Sequence, residues 1–157
     1  MPLSVTAQSE GVLLTVSALC GSPRALTAVS QRQGIPATTP DVARFLEAYA
    51  RESALSRASL DCRAGVKYGP KPEERMDVFP ARKKDSPIFV FIHGGYWRSL
   101  DKSFQSFLAT ELNAAGITVA LPNYELCPKI SMDGIVMQMV QACAWLWRKP
   151  AGTTARR

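Results

Sequence analysis

The sequence predicts an α/β protein in which a mostly parallel sheet is flanked by helices. The run PIFVFI, residues 87–92, is apolar on both faces, as expected for a central strand that helices cover on both sides. A helical pattern and a second apolar run, ITVALP at residues 117–122, follow it directly. Strand, helix and strand in so short a span indicate a right-handed parallel crossover. The 157 residues, 46% of them hydrophobic, are enough for one domain with its own core.

The first half of the chain supplies one predicted helix and one predicted strand. Residues 1–38 are rich in Ser, Thr, Ala and Gln and show no clear periodicity, so we expect a mobile or loosely attached segment. A helix is predicted to begin after Thr39, a suitable N-cap, with Pro40 in its first turn. Residues 75–81, RMDVFPA, then alternate as in a short strand that Pro80 ends.

The second half supplies two helices around the second buried strand. Residues 100–115 have apolar side chains at helical spacing, and Gly116 lies where a C-terminal glycine is common. Residues 132–148 repeat that spacing, and the cationic pair Arg148 and Lys149 closes the predicted helix. The predicted order is helix, strand, strand, helix, strand, helix. The predicted domain spans residues 39–149 and is followed by a tail, residues 150–157.

Composition excludes several classes of protein. The net charge is +6, but the basic residues are scattered and no recognition motif accompanies them, so we expect no nucleic-acid partner. No apolar run is long enough to cross a bilayer and no signal peptide is evident, which predicts a cytoplasmic protein without a membrane partner. The four cysteines form no C-x-x-C pair, so we expect reduced thiols, no metal site and no cofactor.

The segment His93, Gly94 and Gly95 follows the strongest predicted strand. In parallel sheets ligands lie outside the carboxyl ends of the strands, so this corner is the predicted functional site. Glycines allow positive φ values and let backbone N–H groups approach an oxyanion closely, and we expect Gly94 or Gly95 to adopt such a conformation. The alternative is a tight turn that binds no ligand.

Three segments of the sequence resemble segments of a known family. The run HGGYWRSLDKS, the downstream run NYELCPKISMDGIVMQMVQACAWLW and the upstream run YGPKPEERMDVF resemble the arylformamidase-like branch of the α/β-hydrolases, which includes kynurenine formamidases and related esterases. The resemblance covers about residues 45–147. It implies a partial α/β-hydrolase fold and acyl transfer from a small aryl formamide or ester to water.

The resemblance also implies roles for the residues of the HGG motif. Gly94, Gly95 and Tyr96 would supply the backbone of an oxyanion hole, and His93 would orient that loop rather than act as a base. Trp97 would be a wall of the substrate pocket.

Other neighbours of the motif have two interpretations. Tyr124, like Trp97, is either a pocket wall or a core residue. Arg98 and Lys102 are either solvated or paired with nearby carboxylates, for which Asp101 and Glu125 are the candidates. Asn123 is a candidate for a hydrogen bond to the loop.

The catalytic residues of the family are not recognisable in the sequence. The family's order is a nucleophilic Ser, then Asp or Glu, then His, but no G-x-S-x-G segment occurs and the single histidine, His93, lies in the oxyanion loop. Residues 148–157, RKPAGTTARR, show no apolar run that could form a nucleophile strand. We therefore expect a fold truncated before the nucleophile strand and a chain that is inactive by itself.

Two other interpretations remain open. Another polypeptide would complete the enzyme, or the fold would serve as a non-catalytic binding or interaction module. In the incomplete fold we expect the sheet to be open beside residues 117–122, and oligomers or aggregates to form through that edge.

Overall fold

The computed structural model describes residues 4–9, 12–17, 41–83 and 86–148 of the 157-residue chain. This part contains six strands, three α-helices and one short 3-10 helix. In chain order the elements are β1 (Ser4–Ser9), β2 (Val12–Ser17), α1 (Asp41–Ser59), β3 (Arg63–Lys67), β4 (Arg75–Phe79), β5 (Ile88–Val90), the 3-10 helix (Lys102–Gln105), α2 (Leu108–Ala114), β6 (Thr118–Pro122) and α3 (Met132–Arg148).

The described strands form one mixed sheet in the spatial order β1-β2-β5-β6-β4-β3. Strand β5 runs parallel to both neighbours, β2 and β6, and the other three pairs of neighbours are antiparallel. In the β5–β6 ladder Ile88 is aligned with Thr118, and Val90 with Ala120. The chain passes from β5 through α2 to β6, which confirms the predicted strand-helix-strand unit. The described sheet as a whole is mixed, whereas the sequence predicted a mostly parallel one.

Both faces of the central strands are buried, as the apolar runs predicted. Side chains alternate between two apolar clusters, so Val90 and Ala120 lie in one cluster while Phe89 and Val119 lie in the other. Helix α3 covers the first cluster and helix α2 covers the second. The buried members of the α3 cluster are Tyr68, Met76, Val78, Ile88, Val90, Ala120, Tyr124, Ile135, Met139, Ala142 and Leu146.

The predicted open edge is not where the sequence placed it. Strand β6 has β5 on one side and β4 on the other, and β4 pairs with it over four residues from Met76↔Pro122 to Phe79↔Val119. The side of β5 that faces away from β6 is occupied by β2. Within the described sheet the edge strands are β1 and β3, so the predicted open edge beside residues 117–122 is wrong. The predicted formation of oligomers or aggregates stays a prediction.

The helix predicted over residues 100–115 begins later than expected. Leu100 has φ +67°, which an α-helix does not accommodate, and the Asp101 side chain accepts a hydrogen bond from Ser103 N at 2.6 Å. The chain therefore first forms the 3-10 helix, and α2 begins at Leu108. The predicted end is confirmed, since Gly116 has φ +79° and its N–H donates to Asn113 O at 2.9 Å.

Three strands were not predicted. Strand β3 contains Gly65 at φ +67°, and its pairing with β4 shifts register between Arg63 and Val66. This irregularity breaks the alternation on which strand prediction depends. Strands β1 and β2 fall in the segment for which no element was predicted. Their identification needs the pairing of β2 with β5, where Thr15 is aligned with Phe89.

Some sequence predictions lie outside the described residues. These are the N-cap at Thr39, Pro40 in the first helical turn, and the tail 150–157. The division of the chain into residues 1–38, 39–149 and 150–157 stays a prediction. Among the helices of the described part, none combines the length and the apolar character that crossing a membrane requires.

Candidate functional site

The chain leaves β5 through a turn with unusual backbone geometry. Gly95, Tyr96 and Trp97 have φ values of +109°, +56° and +58°. A Cβ atom at Gly95 would lie 2.1 Å from Ser99 O, whereas one at Gly94 would meet nothing within 4 Å. The prediction that one of the two glycines adopts a glycine-specific conformation is therefore confirmed for Gly95.

The turn is closed on the carbonyl oxygen of Gly95. This oxygen accepts hydrogen bonds from the backbone N–H groups of Arg98 and Ser99, both at 3.1 Å. The Ser99 hydroxyl donates to the same oxygen at 2.9 Å. With three donors the Gly95 carbonyl is held inside the turn, so its peptide plane is fixed.

Three backbone donors lie on the open side of this turn. Across residues 41–83 and 86–148, the N–H groups of Gly94, Gly95 and Tyr96 form no hydrogen bond. Gly94 is exposed and Gly95 is half-buried, so the donors can reach a ligand. Consecutive N–H groups in a left-handed or mixed turn form a concave site that suits an anionic oxygen.

His93 anchors the start of the turn. Its side chain is buried, 3% exposed, with Nδ1 2.9 Å from Gly94 O and Nε2 3.0 Å from Asn123 Oδ1. The imidazole stacks on the Tyr124 ring with centroids 4.3 Å apart and an interplanar angle of 8°. Burial lowers the pKa of His93 because it disfavours the charged imidazolium, although the hydrogen bonds to Gly94 and Asn123 oppose this effect.

Asn123 connects His93 to two other parts of the chain, as the sequence analysis suggested for the loop. Its Nδ2 donates to Glu73 Oε2 at 2.9 Å, which sets the orientation of the amide because a carboxylate only accepts. Its Oδ1 therefore faces His93 Nε2 at 3.0 Å and accepts from Lys102 N at 3.4 Å. Gly94 O and Asn123 Oδ1 are both acceptors, so a neutral imidazole donates to one of them and the protonated ring donates to both.

The two aromatic residues that were pocket candidates have different surroundings. Tyr124 is 2% exposed, and its hydroxyl donates to His93 O at 2.6 Å, so the structure places it in the core behind the turn. Trp97 is half-buried and packs against the α3 cluster, while its carbonyl accepts from Cys127 N at 2.7 Å. Tyr96 projects into solvent with 53% exposure.

Lys102 holds the far end of the turn through a partner that the sequence did not indicate. Its Nζ lies 2.9 Å from the Asp77 carboxylate, which is 2% exposed on β4 and also accepts from Gly65 N at 2.8 Å. The suggested partners Asp101 and Glu125 are therefore wrong for Lys102. Arg98 is exposed, as the solvated alternative requires.

Glu125 belongs to a separate polar cluster on the α3 side, in which Glu125 and Gln138 are buried. It forms ion pairs with Lys71 and, at 3.4 Å, with Lys129, and it accepts from Gln138 Nε2 at 2.9 Å. The hydrogen bond from Lys71 lowers the pKa of this carboxyl, and burial opposes the effect. These contacts tie the segment after β6 to α3 rather than to the turn.

Sequence reasoning missed Glu73 and Asp77 as supports of the site. A carboxylate inside the otherwise apolar run RMDVF was the available signal for Asp77, because buried carboxylates need partners. No local signal identified Glu73, whose role depends on Asn123, 50 residues away in sequence.

The sequence contains no recognisable Ser-His-Asp triad. Both ring nitrogens of the one histidine lie against oxygen atoms, Gly94 O and Asn123 Oδ1, and the sequence has no G-x-S-x-G segment. Within the described part of the chain, no three His, Cys, Asp or Glu side chains converge as a metal site requires. Backbone N–H groups in such a turn are suited to an anionic oxygen rather than to the role of a nucleophile.

Comparison with known proteins gives a consistent relationship over part of the chain. No protein-family profile matches. The chain is 32% identical over 84 residues to the kynurenine formamidase of Drosophila melanogaster, which covers 52% of this chain and 28% of that protein. It is 36% identical over 76 residues to the kynurenine formamidase of Salmo salar, with 47% and 26% covered.

Solved structures agree on the fold. A proposed thioesterase from Silicibacter sp. TM1040 is 33% identical, with a TM-score of 0.67 over 72% of this chain and 44% of its own. Esterase B from Lactobacillus rhamnosis is 18% identical, with a TM-score of 0.56 over 74% of this chain and 42% of its own, and it supports the fold alone.

The chain spans 28% and 26% of the length of these two formamidases. Over the matched part, it is related to the arylformamidase-like and esterase-like α/β-hydrolases, and its sheet and helices form part of the α/β-hydrolase fold.

Proposed function

We propose that the turn after β5 is an oxyanion hole of a hydrolase that transfers the acyl group of a small aryl formamide or ester to water. The observation that carries the proposal is the set of backbone N–H groups at Gly94, Gly95 and Tyr96 that have no acceptor within residues 41–83 and 86–148. They follow a central parallel strand, where ligands of α/β sheets bind. The names of the related formamidases and esterases support this choice of reaction.

The proposed chemistry is stabilisation of charge on the carbonyl oxygen. When a nucleophile attacks a formamide or ester carbonyl, the oxygen becomes negative, and backbone donors that are already oriented stabilise it without reorganisation. Glycine at position 95 allows the turn conformation that orients these donors, because its φ of +109° and the proximity of Ser99 O leave no room for a side chain. His93 acts as a positioning residue, since its Nδ1 lies 2.9 Å from Gly94 O.

The two aromatic candidates receive different roles in this proposal. Trp97 is half-buried at the turn, so we propose that it contributes a wall for a flat aryl or acyl group. Tyr124 supports the turn from behind by stacking on His93 and donating to the His93 carbonyl. Its 2% exposure argues against a contact with substrate.

We further propose that the 157-residue chain does not hydrolyse such substrates by itself. The chemistry needs a nucleophile, a base and an orienting acid, and the sequence offers no recognisable Ser-His-Asp set. Loss of one oxyanion donor typically slows an enzyme by about 10² to 10³, and loss of the whole triad removes most of the remaining rate.

A chimaera tests the proposal. In the chimaera, residues 41–148 of this chain replace the matching segment of the Drosophila kynurenine formamidase. The assay measures hydrolysis of N-formylkynurenine and of a short aryl ester. We expect turnover that falls by about 10² or more with Gly95→Ala, whereas Gly94→Ala, whose Cβ meets nothing within 4 Å, is the matched control. A folded chimaera in which Gly95→Ala keeps full activity would contradict the oxyanion role.

The chain alone provides the second test. We expect no hydrolysis above the rate in buffer for either substrate. Saturable turnover that Gly95→Val abolishes would show that the chain contains an unrecognised nucleophile.

The alternative is a non-catalytic binding or interaction module on the same fold. The apolar side chains exposed along α3 favour this alternative, because such surfaces commonly mark interaction sites. A stable chain that binds an aromatic ligand at the turn without converting it would support the alternative over the hydrolase.

A further inference from the structure

Helix α3 has two apolar faces, and the sheet covers one of them. Ile135, Met139 and Leu146 lie on the buried face, with exposures of 3%, 8% and 1%. The opposite face carries large apolar side chains that are exposed to solvent. They are Met132 at 41%, Val136 at 55%, Met137 at 64%, Val140 at 55% and Trp147 at 55%.

The spacing of the exposed residues defines a straight seam. Asp133, Val140 and Trp147 are seven residues apart, so they lie close to one line along the helix. Val136 lies beside this line between the first two positions, and the half-buried Ala144 lies beside it between the last two. This is the pattern of a helix that packs along another helix.

Charges on α3 are confined to its two ends. Asp133 lies in the first turn and Arg148 in the last, both are exposed, and the 14 residues from 134 to 147 include no charged side chain. An antiparallel copy of the same helix would bring Asp133 of each chain to the Arg148 end of the other. A parallel copy would instead place like charges side by side, which is unfavourable.

We propose that two copies of this chain associate through α3, with the two helices antiparallel and Val140 of each copy at the two-fold axis. In this arrangement Val140 faces Val140 of the second copy, and Val136 faces Ala144 of the second copy. Trp147 lies over the first turn of the second copy, next to its Asp133. The contact is isologous, so it closes on itself and yields a dimer rather than a chain of copies.

The expected strength follows from the size of the contact. The 17 residues of α3 span about 25 Å. One helix face buries less than the roughly 800 Å² per partner of a standard interface, so we expect a dissociation constant of about micromolar order. This association does not use a sheet edge.

The first experiment compares two equally exposed aliphatic residues. Sedimentation equilibrium of the full chain measures the dissociation constant, and thermal melting verifies that each variant folds. Val140→Asp should weaken dimerisation at least about tenfold because it places two like charges at the axis. Leu55→Asp is the matched control, since Leu55 is 57% exposed on α1 and lies outside the seam, and it should leave the constant unchanged.

The second experiment tests the antiparallel direction. Asp133→Arg and Arg148→Asp should each weaken the dimer, because each places like charges together, and the double variant should restore it. Both positions are exposed at the ends of α3, so the variants are expected to fold.

Two outcomes would overturn the proposal. A chain that is monomeric over the whole concentration range, up to about 100 times the expected constant, would show that another occupant covers this face. A dimer that Val140→Asp and both single charge variants leave unchanged would show that the copies associate through another surface.

Discussion

The turn after β5 and helix α3 are both fixed to the same sheet, but by different kinds of contact. The turn is held by directional polar contacts of buried groups, in particular His93 with Asn123 and Lys102 with Asp77. Helix α3 is held mainly by apolar side chains such as Leu146 and Ile135. Directional contacts define one backbone geometry, whereas packing of an apolar face fixes a helix and leaves its opposite face free.

Because of this difference, we interpret the turn as a ligand site and the outer face of α3 as an interaction surface. The polar contacts of His93, Asn123, Asp77 and Lys102 hold the backbone donors of the turn in one arrangement, as a preorganised oxyanion site requires. Helix α3 presents side chains in a row, as an interface between chains requires. Substitutions in the turn should therefore act through backbone strain or unpaired polar groups, whereas substitutions in α3 should act through lost packing.

The largest expected effect tests the geometry of the turn. Gly95→Ala should lower the free energy of unfolding by about 3 to 5 kcal/mol, because a side chain at positive φ is strained and its Cβ would collide with Ser99 O. Gly94→Ala should cost less than about 1 kcal/mol. Denaturant unfolding measures both, and equal effects at the two glycines would contradict the assigned turn.

The next effect compares the two faces of α3. Leu146→Ala should lower the free energy of unfolding by about 3 kcal/mol because it leaves a cavity in the core. Val136→Ala, on the exposed face, should change it by less than about 0.5 kcal/mol. Unfolding is measured at a concentration where the chain is monomeric. A cost for Val136→Ala that matches the cost for Leu146→Ala would show that the outer face is covered within one chain.

A smaller effect tests the ion pair under the turn. Lys102→Met should cost about 2 kcal/mol, because it leaves Asp77, 2% exposed, without its cation. Lys71→Met should cost less, since Glu125 retains Lys129 and Gln138 as partners. If Lys71→Met costs more than Lys102→Met in chemical denaturation, then Glu125 rather than Asp77 is the carboxylate that depends more on its cation.

The smallest effect concerns pH. Burial lowers the pKa of His93 in the folded protein below the value of about 6.5 in the unfolded chain. As the pH falls below about 6.5, the unfolded state binds the proton first, so the free energy of unfolding decreases. His93→Gln should remove this dependence between about pH 7.5 and 5.5. Glu125 does not interfere there, because its lowered pKa affects stability only below about pH 4.3.

For the pH test, denaturation of the wild type and of His93→Gln is measured at both ends of that range. Identical slopes in the two proteins would show that another group causes the pH dependence.

Prediction from sequence was most accurate where apolar periodicity was continuous. Helix α3 extends over the predicted residues 132–148, and β4 and β6 lie within the predicted runs. Prediction failed where local geometry interrupts a pattern. Leu100 at φ +67° shortened the predicted helix, and Gly65 concealed β3. Strands β1 and β2 were missed because their place in the sheet depends on a partner, β5, that lies more than 70 residues away in sequence.

The sequence by itself determined which residues form β4, β5 and β6, and that the turn after β5 needs glycine. These properties depend on residue type and on spacing along the chain, which are local. The tertiary structure decided that Lys102 pairs with Asp77, that Asn123 links Glu73 to His93, that Tyr124 lies behind the turn, and that β4 covers β6. Each of these contacts joins residues distant in sequence, and short-range periodicity contains no information about which distant partner a buried polar group or a strand will find.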